Sequence, residues 1–482
     1  MKSFTRREAL KGFLGLAGTA MLPGCARNPV TGQRQLMLMS QTQEIAFGQQ
    51  GDTEIVASFG VYDDPMIQRW VTNVGNSIAR ITPRPTLPWK FTVLDSPVVN
   101  AFALPGGFVY VTRGILGYFN NEAQAAGVIG HEIGHVAARH SAEQYSRMQI
   151  ANLSLGIGSV FVPEFAQYAQ MASVGLAFLF LKFSRDDETQ ADELGVDYAS
   201  ALGFDTIALS AFFNTLDRLQ PEGGSLPEWA STHPDPGHRV QKVAELTRSF
   251  QMQHSGNYFI NRDQYLGRIN GIVFGDNPQE GYIKDGVFYH PQLQFQFPIP
   301  GGWDVSNTAT EVRMSSKDGA GLIVFSLGPE KTKPDQAAQE FIKANSITVS
   351  DTRQVQVNGM PATTFTGTFN GNSQELAIKS TFIGKGNNVF EFNGVTTPDD
   401  FNAYEQTFTE VPGRFDQLTD KSKIDVKPQR LSIATVPSRM TLAEAFDSFK
   451  VSEDKYDSMA IVNGMQLKDT VQANYNIKIL ST

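Results

Sequence analysis

The sequence contains a single cysteine, Cys25, so no disulfide can form within the chain. It also lacks an apolar run long enough to cross a bilayer, which takes about twenty residues. Phe13 to Met21 spans only nine, and Met171 to Leu181 is the longest unbroken piece of the apolar stretch 151–183, which Pro163, Glu164, Gln167 and Gln170 interrupt. No long basic run is present, and a net charge of −9 with a pI near 5.4 argues against nucleic acid as a partner. Histidine is scarce, with seven in 482 residues, so an ordered pair of histidines is informative. The length calls for more than one domain.

Such a pair occurs in His131-Glu132-Ile133-Gly134-His135, within a stretch that reads as helical. Histidines four apart lie on one helix face, so both imidazoles can reach one metal ion. Glu132, about a hundred degrees further round, can reach a water bound to that ion. Imidazole suits zinc, and the carboxylate can take the proton of the activated water. Two surface histidines on an ordinary helix are the alternative. A catalytic zinc needs a third protein ligand from elsewhere.

Ser184 to Asp192 offers it. Ser184 is placed to cap a helix whose first turn is acidic, and Gly203 to end it. Glu188 and Asp192 are four apart and face one way, one carboxylate to bind metal and the other to orient a ligand histidine. A solvated acidic face is the competing reading. Gly127, Gly130 and Gly134 form a smooth stripe beside the histidines, where another helix backbone could approach closely.

His131 to His135 followed by Glu188-x-x-Ala191-Asp192 resembles the gluzincin metallopeptidases of the HtpX, BepA and prenyl-protease type. The resemblance extends through Asn28-Pro29-Val30-Thr31-Gly32, Asn100 to Gly107 and Thr232-His233-Pro234, over roughly residues 28–250. It implies one zinc per chain with His131, His135 and Glu188 as ligands, Glu132 as general base, and Asp192 behind a ligand histidine. It also implies that an extended polypeptide adds to an edge strand above the metal, for which Asn100, Ala101, Phe102 and Ala103 are the candidates. Val98 to Thr112 reads as a hairpin about Pro105-Gly106-Gly107, and an ordinary core hairpin fits as well. The family places a histidine of the Thr232 loop near the metal and an arginine just after it. His233 or Arg239 could stabilise the oxyanion, or His233 could take the fourth zinc position and hold the enzyme latent. His233 as a packing residue is a third reading. Asp235 is the expected cap of the following helix, with Pro236 first in it. His140 is expected at the end of the histidine helix, in a structural role.

Thr5-Arg6-Arg7, the apolar region and Leu22-Pro23-Gly24-Cys25 resemble a twin-arginine export signal ending in a lipobox. Cys25 would then carry lipid, and Ala26 after it implies a periplasmic, outer-membrane location. Beyond about residue 255 the periodicity alternates: residues 285–418 read as an antiparallel α+β domain, vaguely like PsbP or Mog1, with helices over 334–344 and 398–408. Residues 431–482 have the order strand, helix, helix, strand, and resemble a divergent LysM module that could bind peptidoglycan; a cap with no ligand is the alternative.

The expected organisation is signal peptide 1–24, linker 25–40, metallopeptidase domain 41–255, connector 256–284, the α+β domain, linker 419–430 and the LysM-like segment. The fold class is α+β, with a mainly helical zincin-type peptidase domain holding a small sheet. The expected function is a zinc endopeptidase acting on unfolded or misassembled envelope proteins. The rival is a peptidase fold serving as a chaperone or assembly factor, or a peptidoglycan-associated protein.

Overall fold

The computed structural model describes residues 24–154, 183–219, 228–233, 236–371 and 374–481. The export signal, most of the apolar stretch 151–183, and Asp235 lie outside the described residues. Those described form two compact units, Asn277–Lys427 on one side and, on the other, the residues up to Asp276 together with those from Pro428. None of the described helices is long and apolar enough to cross a membrane.

In the second of these units, residues expected as a linker form an antiparallel hairpin, β1 (Gly24–Arg27) with β2 (Arg34–Met37). Its turn is held by Asn28, whose Oδ1 accepts the backbone N–H of Val30 and Thr31. A three-stranded sheet follows, made of β3 (Lys90–Leu94), β4 (Ala101–Leu104) and β5 (Phe108–Thr112). β5 is central, parallel to β3 and antiparallel to β4, so β4 is an edge. The turn into β5 needs glycine: Gly106 and Gly107 have φ of +87° and +108°.

Behind the sheet runs the histidine helix, Glu122–Ala138, capped by the Asn121 side chain on the Gln124 N–H and buried along its whole length. A helix without a polar face belongs in the centre of a domain. It stops at Ala138, two residues short of His140, because Arg139 turns left-handed at φ 67°. The Arg139 guanidinium is drawn outward to the Glu44 carboxylate and, at 2.7 Å, to the Met39 carbonyl. His140 therefore opens the next helix, His140–Ser154.

The acidic helix, Arg185–Ala201, is capped reciprocally by Ser184 and Asp187 and ends before Gly203 at φ +88°. It lies against the histidine helix backbone to backbone. A β-carbon on Gly195 would sit 2.9 Å from the His131 nitrogen, and one on Gly130 would sit 3.1 Å from the Gly195 oxygen. Gly127, from the same stripe, faces Leu209 instead.

The last segment keeps the expected order: Arg430–Thr435, helices Leu442–Ser448 and Tyr456–Val462, and Asn476–Ser481, the two strands pairing antiparallel. It has no separate core among the described residues. Leu431, Phe446, Val462 and Ile477 are buried in the same cluster as Phe212 and Tyr265. Lys478 Nζ, fully buried, donates to the carbonyls of Gly117 (2.8 Å) and Phe119 (3.0 Å), just before the histidine helix.

The unit Asn277–Lys427 carries a seven-stranded antiparallel sheet and a four-stranded one. Its core is aromatic, with Phe295, Phe297, Phe325, Phe390, Phe392 and Phe415 in contact. Helix Pro334–Asn345 covers one region of the larger sheet. The second helix, Phe401–Gly413, starts later than its expected 398, because Thr397 and Asp400 close a turn through Oγ1 and Oδ2 at 2.7 Å.

Candidate metal centre

The helix spacing puts His131 and His135 on one face, and their Nε2 atoms are 3.1 Å apart. The acidic helix brings a Glu188 oxygen to 3.4 Å from His135 Nε2 and the other to 3.6 Å from His131 Nε2. His233, following the short helix Glu228–Thr232, adds Nδ1 at 3.2 Å from His131 Nε2 and 2.8 Å from Glu188. One ligand atom from each of the four residues lies within 4.8 Å of the others, and all four residues are buried.

The edges of a tetrahedron of nitrogen and oxygen about zinc are about 3.3 Å, from bond lengths of roughly 2.0–2.1 Å. The distances here bracket that value. Burial, joined by the Arg239 charge, pushes His131 down to about 3, so its ring is neutral near pH 7. Its Nδ1 faces Asp192 Oδ1 at 3.0 Å and carries the proton, which leaves a lone pair on Nε2. Several lone pairs and a carboxylate converging on one buried point repel one another unless they share a cation. The donor set, three imidazoles and one carboxylate, fits a divalent metal, with zinc first among them.

Asp192 thus sits on the far nitrogen of His131, while Glu188 faces the centre. Spacing alone left these two roles interchangeable. Arg239 fixes the difference: its Nε and Nη2 take both oxygens of Asp192, at 2.8 and 2.5 Å, and Nη1 lies 3.1 Å from Glu188. Burial alone would raise both carboxyl groups, but the cation outweighs it for Asp192, and His233 with Arg239 outweighs it for Glu188. Both stay ionised. The guanidinium also lies 4.5 Å from the Phe213 ring centre and 4.8 Å from that of Trp229.

Glu132 is fully buried, and burial pushes its carboxyl up to about 8. Trp229 Nε1 donates to Glu132 Oε1 at 3.4 Å, and His233 Nε2 is 3.5 Å from the same oxygen. Trp229 also stacks on His233, with ring centres 4.8 Å apart, and its backbone N–H donates to the Val99 carbonyl at 3.2 Å, just before β4. In β4 and the residue before it, Asn100, Ala101 and Phe102 are buried and Ala103 half-buried. Cys25 lies in β1, its backbone opposite Leu36.

The sequence reading missed Trp229, Phe183 and Gln190. Trp229 had a signal: it is one of four tryptophans and lies four before His233, on the same helical face. Phe183 packs its ring 4.0 Å from that of His135. Nothing in the sequence singles it out from thirty-four phenylalanines.

Two helices supplying an HExxH pair and a downstream glutamate are the arrangement of a metallopeptidase centre. Residues 65–247 match the protein family described as Peptidase family M48. The mitochondrial metalloendopeptidase OMA1 of Schizosaccharomyces pombe is 30% identical over 234 residues, covering 47% of this chain and 67% of that protein. OMA1 of Arabidopsis thaliana is 32% identical over 185 residues, covering 38% of this chain and 37% of that protein. The β-barrel assembly-enhancing protease of Escherichia coli is 26% identical over 243 residues, covering 48% of this chain and 50% of that protein. The chain belongs to peptidase family M48. It spans only part of the length of these relatives, from 37% to 67%. Two solved structures, cyanobacterial PsbP of Synechocystis and Mog1 of Saccharomyces cerevisiae, have TM-scores of 0.24 and 0.23 at 12% and 10% identity, too low to assign a fold. They cover 27% and 30% of this chain, and 91% and 99% of their own.

Proposed function

We propose that the chain is a zinc endopeptidase of the bacterial envelope that hydrolyses unfolded or misassembled proteins. The observation that carries this reading is the buried convergence of His131, His135, Glu188 and His233 with Glu132 beside them. The family supports peptide-bond hydrolysis, and relatives named as a β-barrel assembly-enhancing protease support an envelope setting. A zinc ion held by these residues supplies charge that polarises a substrate carbonyl and makes a bound water more acidic.

The chain's own residues do the rest. Glu132 takes the proton of the attacking water and later delivers it to the leaving amine. Its burial raises the carboxyl and favours delivery of the proton, while the hydrogen bond from the Trp229 indole N–H favours the ionised form that accepts one. We assign Arg239 to holding Asp192 and Glu188 in place of the oxyanion role the sequence offered to it or to His233, because its Nε and Nη2 are bonded to Asp192 and its Nη1 pairs with the Glu188 charge at 3.1 Å. The edge strand Ala101–Leu104 receives the substrate backbone. Lipidation at Cys25, outer-membrane location and peptidoglycan contact through 431–482 remain part of the proposal on the sequence alone.

His233 is the restraint. A catalytic zinc keeps one position open, whereas a closed set of four protein ligands is characteristic of a structural site. His233 Nδ1 occupies that fourth position and its Nε2 faces Glu132, so it blocks both water and base. The test is casein cleavage by the purified mature chain, with zinc content measured alongside. Glu132→Gln should lose about 10²-fold or more at equal zinc, the usual weight of a general base. His233→Ala should cleave faster than wild type. A chain in which neither wild type nor His233→Ala cleaves, with zinc bound, would favour the assembly-factor reading.

A further inference from the structure

We infer that the Asn28 turn, beside the first strand, sets which nitrogen of the metal ligand His135 carries the proton, acting through Gln190 and His140. The inference rests on the metal-centre reading above and adds three positioning residues to it.

The argument follows hydrogen atoms. Asn28 Oδ1 accepts from the backbone N–H of Val30 (2.8 Å) and Thr31 (3.2 Å), so oxygen and nitrogen of this amide cannot be exchanged. Its Nδ2 is left as a donor, 3.3 Å from Gln190 Oε1. A donor needs an acceptor, so Gln190 presents its oxygen there. The same oxygen is 2.8 Å from His140 Nε2, which therefore carries the hydrogen. The Asp187 carboxylate, 3.6 Å from that nitrogen, favours the same assignment. A neutral imidazole has one N–H, so His140 Nδ1 is an acceptor. It faces His135 Nδ1 at 3.0 Å, and that nitrogen must donate. His135 Nε2 is then the lone pair, pointing to His131 Nε2 and Glu188.

A ligand histidine is ordinarily held through its other nitrogen by a carboxylate, carbonyl or water. His131 has Asp192 for this. His135 has a neutral relay ending on two backbone amides of the N-terminal hairpin, 162 residues from Gln190 in sequence. The Asn28 turn is thus linked by hydrogen bonds to the His135 ring.

Two near-isosteric changes separate proton order from packing. In Asn28→Asp the turn keeps its acceptor, but no donor faces Gln190. The Gln190 amide then turns its NH₂ toward both neighbours, forcing the His140 proton to Nδ1 and the His135 proton to Nε2. In Gln190→Glu the group can only accept, and the order is preserved. Zinc affinity is read on the metal-free full mature chain by competition with a chromogenic chelator. Asn28→Asp and His140→Ala should weaken it by about 10–100-fold, the usual effect of losing a ligand's supporting partner. Gln190→Glu should stay near wild type. Thermal melts of the metal-free variants, and ¹⁵N imidazole spectra locating the His135 proton, check that the hairpin is folded and the order changed. Equal affinity in Asn28→Asp and wild type, or equal weakening in Gln190→Glu and Asn28→Asp, overturns the inference alone. A wild-type chain that takes up no zinc overturns the metal reading with it.

Discussion

Arg239 shows how one side chain can decide the character of a buried centre. Two carboxylates, Glu188 and Asp192, are buried together, and burial by itself raises both above their ordinary range. Arg239 favours the charged form of both, joined by His233 at Glu188, and reaches Asp192 with two hydrogen-bonding nitrogens while the third lies 3.1 Å from Glu188. Removing one partner of a buried ion pair costs about 3–5 kcal/mol. Arg239→Met should therefore destabilise the metal-free chain by that order, measured by urea unfolding. The pH dependence has a definite sign. Both carboxyl groups titrate lower in the folded state than their ordinary 3.8 and 4.5. The stability they contribute is present above about pH 4.5 and is lost as pH falls through their folded values. The wild-type advantage over Arg239→Met should be full near neutrality and shrink below that pH. An advantage constant from pH 7 to pH 3 would contradict the role given to Arg239.

Helices meet at this centre because glycine lets them. His131 and Glu188 can share one ion only if their backbones come close, and Gly195 sits against the His131 nitrogen with no room for a methyl group. Gly195→Ala forces the pair apart, and overpacking of this kind costs about 1–3 kcal/mol. The expected outcome is a lowered melting temperature together with weaker zinc binding. Gly127→Ala, which meets only the movable side chain of Leu209, should be milder in both. Much of this was readable from the sequence: the four-residue spacings, the Ser184 cap and the glycine stripe each name a helix and a face. The end of the histidine helix was not, because Arg139 is bent by Glu44 and Met39, far away in sequence.

On the scale of the molecule, the tail of the chain is a wall of the catalytic unit. A chain ending at Lys427 would lose the burial of Leu431, Leu442, Phe446 and Ile477 and would bare the partners they cover. Full burial of such a side chain is worth about 1.5–3 kcal/mol. Truncation there should cause unfolding or a large drop in melting temperature, and residues 428–482 alone should remain unfolded by circular dichroism. An isolated segment with a cooperative melt would restore the view of a separate module. The strand and helix order of this segment was legible, as was the alternating pattern of 285–418. Which core each segment joins was not.

The sequence by itself determined the elements and their chemistry, because helical periodicity, caps and turn glycines are local and the HExxH spacing is a property of one helix. It named His131, His135 and Glu188 as candidate metal ligands, though only the family resemblance separated Glu188 from Asp192. Tertiary structure alone decided that Arg239 faces the carboxylates, that Trp229 meets Glu132, that His233 comes within 3.2 Å of His131 and that Asn28 reaches Gln190. The physical reason is that hydrogen bonds and ion pairs depend on distances of a few ångströms between residues tens to hundreds apart. Only packing sets those distances.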